Sequence, residues 1–115
     1  MGVLYHLKNP FYVLEKLSNY AEYLLISTRV AKYTPDGTNI SELPISYLVG
    51  PDETNNDSTN YWIFSNAGLK RLFDRAGWDV IGLNNVGDTI NSNPRDSNHD
   101  ERSFALLKNK SIFNV

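Results

Sequence analysis

The sequence predicts an α/β chain in which strands and helices alternate along one sheet. Three observations lead there: two segments carry apolar residues at helical spacing, short apolar runs rich in β-formers follow them, and caps and breakers sit where those elements should start and stop. The 115 residues make one domain at most, residues 1–115. A content of 41% hydrophobic and 12% aromatic residues is enough to build a core.

The first unit opens the chain. Gly2-Val3-Leu4-Tyr5-His6-Leu7-Lys8 is an apolar run that reaches a Tyr-His pair, and Asn9-Pro10 is a helix start. Asparagine can accept from the free amides, and proline loses nothing at the first helical position. A strand end, a short turn and a helix are expected. Ligands of open α/β sheets lie at the carboxyl ends of strands, so Tyr5 and His6 stand where chemistry would occur. From Pro10 to about Glu22, the residues Val13, Leu14, Leu17, Tyr20 and Ala21 recur at helical spacing, with Glu15, Lys16 and Ser18 on the other side. Tyr23 to Val30 is mostly apolar and rich in β-formers, which predicts a strand covered on both faces and paired in parallel.

Residues 34–60 read as a long polar loop. Pro35-Asp36-Gly37 signals a turn, Leu43 to Val49 is a short apolar island broken by Pro44, and residues 52–60 are nearly all polar. Connections of this length are lids, binding loops or disordered segments, and all three readings stand at this point. Order returns at Asn60-Tyr61-Trp62-Ile63-Phe64-Ser65. Ser65 caps a helix with Leu69, Leu72, Phe73 and Ala76 on one face and Lys70, Arg71, Asp74 and Arg75 outside, and Gly77 stops it. Trp78 to Leu83 follows as a strand, residues 87–101 as a second long polar loop, and Ser103 to Lys108 as a last strand. The tail beyond Lys110 is expected to fray.

Composition excludes several classes. Eleven basic and thirteen acidic residues give a net charge of -2, which offers no argument for nucleic acid. Without cysteine there are no disulfides and no thiolate metal sites, which fits a reducing compartment. No run reaches the length of a membrane span, and the amino terminus lacks the order of a signal peptide. The expectation is a cytoplasmic protein with no membrane partner.

In this order the elements resemble the carboxyl half of a class I S-adenosylmethionine-dependent methyltransferase. That sheet closes with a helix ending in Gly, a strand, and a last strand turned back antiparallel between its two predecessors. Met1-Gly2-Val3-Leu4-Tyr5-His6, then Asn9-Pro10 and the leucines that follow, resemble the fourth-strand segment of the bacterial enzymes that modify the tRNA wobble uridine, and of their uncharacterised relatives. Tyr61-Trp62-Ile63-Phe64-Ser65 with Leu69-Lys70-Arg71-Leu72-Phe73 and Ala76-Gly77-Trp78 resembles their later helix-strand unit. Asp100-Glu101-Arg102-Ser103-Phe104-Ala105-Leu106-Leu107 is similar to their final strand.

The resemblance covers essentially the whole chain. It implies a partial Rossmann-like methyltransferase sheet with flanking helices, and transfer of a methyl or carboxymethyl group from S-adenosylmethionine or its carboxylated form, with tRNA as one acceptor. The glycine-rich turn and the acidic residue that would hold the cofactor are absent from this sequence. The expectation is therefore a half-enzyme, a fragment or a chain completed by a missing amino-terminal half, and inactive alone. The rival expectation is a non-catalytic interaction module that self-associates or completes its sheet on a partner chain, because an unpaired strand edge invites pairing.

The resemblance makes Met1 and Tyr5 cofactor contacts, since a thioether and an aromatic face suit a sulfonium and its adenosine. Equally, both could simply finish a buried strand. His6 is a candidate base or substrate-orienting group, against a turn residue bonded to backbone. Arg29 and Tyr33 are candidate substrate contacts at the carboxyl edge, against a salt bridge and a packed aromatic. Tyr61 and Trp62 could stack on a base or anchor the returning loop. Lys70, Arg71 and Arg75 form a basic helix face that Asp74 interrupts. His99 with Asp96, Asp100 and Glu101 superficially suggests metal ligands but has no fixed spacing, so a solvated loop and no metal are expected. Arg102 resembles a recurring family position without an assigned role, and no catalytic residue stands out.

Overall fold

The computed structural model describes residues 4–53, 60–95 and 97–110. Met1 therefore lies outside the described residues, as do residues 54–59 of the first long loop. Leu4–His6 forms one turn of 3-10 helix where a strand end was expected, with Leu4 fully buried beneath it. The turn is held by the Leu7 amide donating to the Leu4 carbonyl, and the Tyr61 amide donates to the Tyr5 carbonyl at 2.8 Å.

Asn9 then acts as its position demands. Its side chain accepts the Tyr12 amide at 3.2 Å, Pro10 takes the first helical position, and helix α1 runs Pro10–Leu17. The helix ends before the expected Glu22. The side-chain amide of Asn109 donates to the carbonyls of Ser18 and Ala21, so these oxygens serve the far end of the chain instead of further helical turns.

Strand β1, Tyr23–Val30, has the expected bounds but different neighbours. It pairs antiparallel with the last strand, β5 (Glu101–Asn109), from Tyr23↔Lys108 to Val30↔Glu101. Among the described residues its parallel pairing is confined to Val30↔Phe64 on strand β3 (Trp62–Phe64). Nor is it covered on both faces throughout: Leu25 is 64% exposed, whereas Ile26 to Val30 are buried. The apolar faces of both helices cover only one side of the sheet, which explains the difference.

The first long loop is interrupted by strand β2, Ser46–Leu48, which pairs antiparallel with β3. Helix α2, Asn66–Arg75, begins as expected, with the Ser65 hydroxyl accepting the Gly68 amide at 2.9 Å. It ends at Ala76 and Gly77, the latter at φ 98 where only glycine is unstrained. Strand β4, Trp78–Gly87, continues past the expected Leu83, because Asn84, Asn85 and Val86 keep the ladder against Phe104, Ser103 and Arg102. The second loop therefore narrows to residues 88–100, with a 3-10 turn at Ser97–His99.

Among the described residues the result is a mixed α/β fold: one five-stranded mixed sheet in the order β2-β3-β1-β5-β4, with two helices. The last strand lies antiparallel between β1 and β4. The main core gathers Leu14 of α1, Leu69, Leu72 and Phe73 of α2, and Ile26, Val30, Trp78, Ala105 and Leu107 of the sheet. The buried Trp78 indole donates to the Leu14 carbonyl at 3.0 Å, tying β4 to α1. No helix among the described residues is long and apolar enough to cross a membrane.

Candidate functional site

Residues directly opposite one another on antiparallel strands share a face of the sheet. Arg29 and Arg102 are such a pair, near the carboxyl end of β1 and the start of β5. The face they share is the one turned away from the helices.

Arg29 is 2% exposed. Its Nε lies 3.1 Å from the Asp100 carboxylate, and its terminal nitrogen donates to the Asn93 carbonyl at 3.0 Å. The loop 88–100 thus closes over it. Arg102 stays half-buried and turns toward the first turn of the chain: it donates to the Tyr5 hydroxyl at 3.3 Å, with its guanidinium carbon 5.3 Å from the Tyr5 ring centroid. The His6 ring lies 4.1 Å from that of Tyr5, tilted by 33°. Tyr5, His6, Arg29 and Arg102 therefore gather at one end of the β1/β5 ladder.

Tyr33 goes elsewhere. It lines an open groove of about 510 Å³ with Thr34, Pro35, Asn91, Asn93 and Arg95. Asn93 connects the two regions, since its carbonyl accepts from Arg29. Behind the groove, Glu53 accepts from the Tyr47 hydroxyl, the Gly50 amide and the Arg95 guanidinium. Burial works to raise the Glu53 pKa, but these donors outweigh it and hold the carboxyl below its ordinary value. Burial and the neighbouring Glu53 push the Tyr47 hydroxyl up.

The remaining candidates have local roles. The Trp62 indole donates to the Lys8 carbonyl at 3.0 Å, and the Lys8 ammonium sits 5.6 Å from the Tyr61 ring, so this pair anchors the returning chain. Lys70, Arg71 and Arg75 are exposed on α2, and Asp74 pairs with Lys110. His99 pairs with Asp88 at 2.6 Å, and Asp100 with Arg29. Asp96 lies outside the described residues, and among those described no group of three His, Asp or Glu could hold a metal.

Glu101, read from sequence as part of a solvated loop, is instead fully buried. It accepts from Ser92 and Asn85, each at 2.7 Å, with the Lys32 ammonium at 3.9 Å. A signal for this existed: Glu101, Ser103, Ala105 and Leu107 alternate along one strand face, and the last two are plainly core residues.

Chemically, the Arg102 guanidinium and Tyr5 hydroxyl are polar groups suited to an anion. Unlike Arg29, Arg102 has no carboxylate partner among the described residues. Planar guanidinium groups bind carboxylates bidentately, and a phenolic hydroxyl can add a third donor. No protein-family model matches the chain, and no curated protein matches it.

Proposed function

We propose that the chain is the trailing half of a class I S-adenosylmethionine-dependent methyltransferase, cytoplasmic, in which Tyr5 and Arg102 meet the donor. One observation carries this reading: the last strand runs antiparallel between β1 and β4 and thereby brings Arg102 onto Tyr5 at the carboxyl end of β1. That position of the last strand agrees with the resemblance, whereas the pairing of β2 and β3 beside β1 is not part of it.

The same pair favours the carboxylated donor over the plain one. The Tyr5 ring already holds a guanidinium over its face, so a sulfonium would compete for that face, whereas a carboxylate would join the two groups already there. When bound, such a donor supplies the electrophilic carbon attached to sulfur. The chain's own part is to fix the carboxylate arm through Arg102 and Tyr5, so that transfer becomes a matter of in-line positioning. His6 stacks beside them and fits an orienting role. Nothing in the sequence serves the adenine or the ribose, which limits the affinity of the chain by itself. The acceptor that the resemblance suggests is tRNA, for which the net charge of -2 gives no support.

The test is a titration of the chain with each donor, followed by NMR shifts and calorimetry. Millimolar binding of the carboxylated donor is expected, with shifts at Tyr5 and His6 that disappear in Arg102→Ala. Micromolar binding would refute the half-site reading, and shifts remote from Tyr5 would refute the assignment of the donor.

A second reading, of a different class, is a non-catalytic module that associates through its sheet. The exposure of Leu25, Phe104 and Leu106 on the face away from the helices favours it.

A further inference from the structure

We infer that two copies of this chain dock face to face across the β4/β5 ladder, related by a two-fold axis that runs along the strands between β4 and β5. This rests on the second reading above and deepens it.

The ladder presents its outward residues in rows. Asp79 stands opposite Lys108, Gly82 opposite Leu106, Asn84 opposite Phe104, and Val86 opposite Arg102. Leu106 is 40% exposed and Phe104 42%, in the middle of a strand whose alternate residues are buried. Large side chains are left in water on the outward face because the helices pack only on the inward one.

An isologous contact must be complementary to itself. A two-fold axis between β4 and β5 exchanges the two columns, so each β5 residue meets the β4 residue of its own row in the other copy. Lys108 then meets Asp79, a cation against a carboxylate, and the same pair forms twice. Leu106 meets Gly82, where the missing side chain leaves a notch: apart from its chain neighbours Ile81 and Leu83, a Cβ built there has only the Leu106 Cβ within 4 Å, at 3.7 Å. Phe104 lies over Asn84, and the aliphatic stem of Arg102 over Val86. The Asp79–Lys108 row thus offers a partner of matching charge and the Gly82–Leu106 row one of matching shape.

The face is about 30 Å long and about 15 Å wide from ordinary strand dimensions. Doubled across two copies, that is about 900 Å², below the range of stable interfaces and in that of weak, transient ones, so a dissociation constant of about 100 µM is expected.

Sedimentation equilibrium of the full chain from about 1 to 500 µM tests this. The expected result is a monomer-dimer equilibrium that Leu106→Glu abolishes. Asp79→Lys and Lys108→Asp should each weaken it about tenfold by replacing two attractions with two repulsions, and the double exchange should restore it to within about threefold. Asp79 and Lys108 are exposed, so these variants keep the proposal testable even if Leu106→Glu fails to fold. A monomer at every concentration overturns this proposal and, with it, self-association as a form of the second reading. Association that ignores all four variants overturns the proposed face and leaves that reading standing. Loss in Leu106→Glu without recovery in the double exchange overturns the two-fold pairing.

Discussion

Arg29 and Arg102 are direct cross-strand partners on β1 and β5, yet one is sealed under a loop and the other rests on an aromatic ring. Like charges placed opposite one another repel. Here Asp100 takes up the charge of Arg29 and the loop carbonyl of Asn93 takes its terminal nitrogen. Arg102 is left to Tyr5. The buried arginine belongs to the architecture, and the half-buried one pairs with no carboxylate among the described residues.

That division predicts unequal costs. Arg29→Met takes the guanidinium away from the Asn93 carbonyl and the Asp100 carboxylate, although Asp100, 44% exposed, can turn to water. A loss of about 2–3 kcal/mol is expected. Arg102→Met removes a half-exposed contact and should cost less than about 1 kcal/mol. Urea unfolding of the two variants measures both. Equal costs would show that the two arginines are not so divided.

Gly68 lies in the first turn of α2, where alanine ordinarily stabilises a helix by about 1 kcal/mol. At this position the sign should reverse. A Cβ would stand 2.3 Å from the Ile45 carbonyl oxygen and 2.9 Å from the Ser65 hydroxyl, both part of the joint between β2 and the helix cap. Gly68→Ala is expected to destabilise by about 2 kcal/mol or more, read as a lowered thermal midpoint.

Signals confined to a few neighbouring residues were legible in the sequence. Ser65 and Gly77 bounded α2 correctly, and Asn9-Pro10 fixed the start of α1, because a cap acts within one turn. What depended on distant partners was not. The end of α1 is set by Asn109, 91 residues from Ser18. The length of β4 follows from pairing with Arg102 to Phe104, and its Asn84-Asn85 pair reads locally as a turn. Pro44 argued against a strand in the first long loop, yet β2 begins just beyond it, at the sheet edge where proline is tolerated. At the site, a salt bridge was one of two readings of Arg29, but its partner, Asp100, depended on register and could not be read locally.

Acid should loosen the loops before the core. Glu53 accepts from Tyr47, Gly50 and Arg95, and despite burial, which acts the other way, its pKa is lowered from 4.5. Asp88 is likewise lowered, first by the Asn91 amide and then by His99. A carboxyl with a depressed folded pKa lends stability above its unfolded value and loses it as pH falls through the folded one. The thermal midpoint should therefore decline from about pH 5 downward. Glu53→Gln should lower the midpoint at neutral pH and flatten that decline. An unchanged slope in Glu53→Gln would remove Glu53 from the account.

Thr28 and Ser103 face each other across the β1/β5 ladder, each 1% exposed, and neither hydroxyl has a hydrogen-bond partner among the described residues. A buried hydroxyl left unbonded costs about 1–3 kcal/mol, because it gave up water and gained nothing. Valine keeps the shape of threonine and removes the group that needs a partner. Thr28→Val should therefore raise stability by about 1 kcal/mol and the thermal midpoint by about 4 °C. Ser103→Ala should gain less, since it also gives up packed volume. A lower midpoint in Thr28→Val would mean that its hydroxyl finds a partner in solution, and the inward face of the ladder would then hold a satisfied polar row that runs from Thr28 through Ser103 to Asn85.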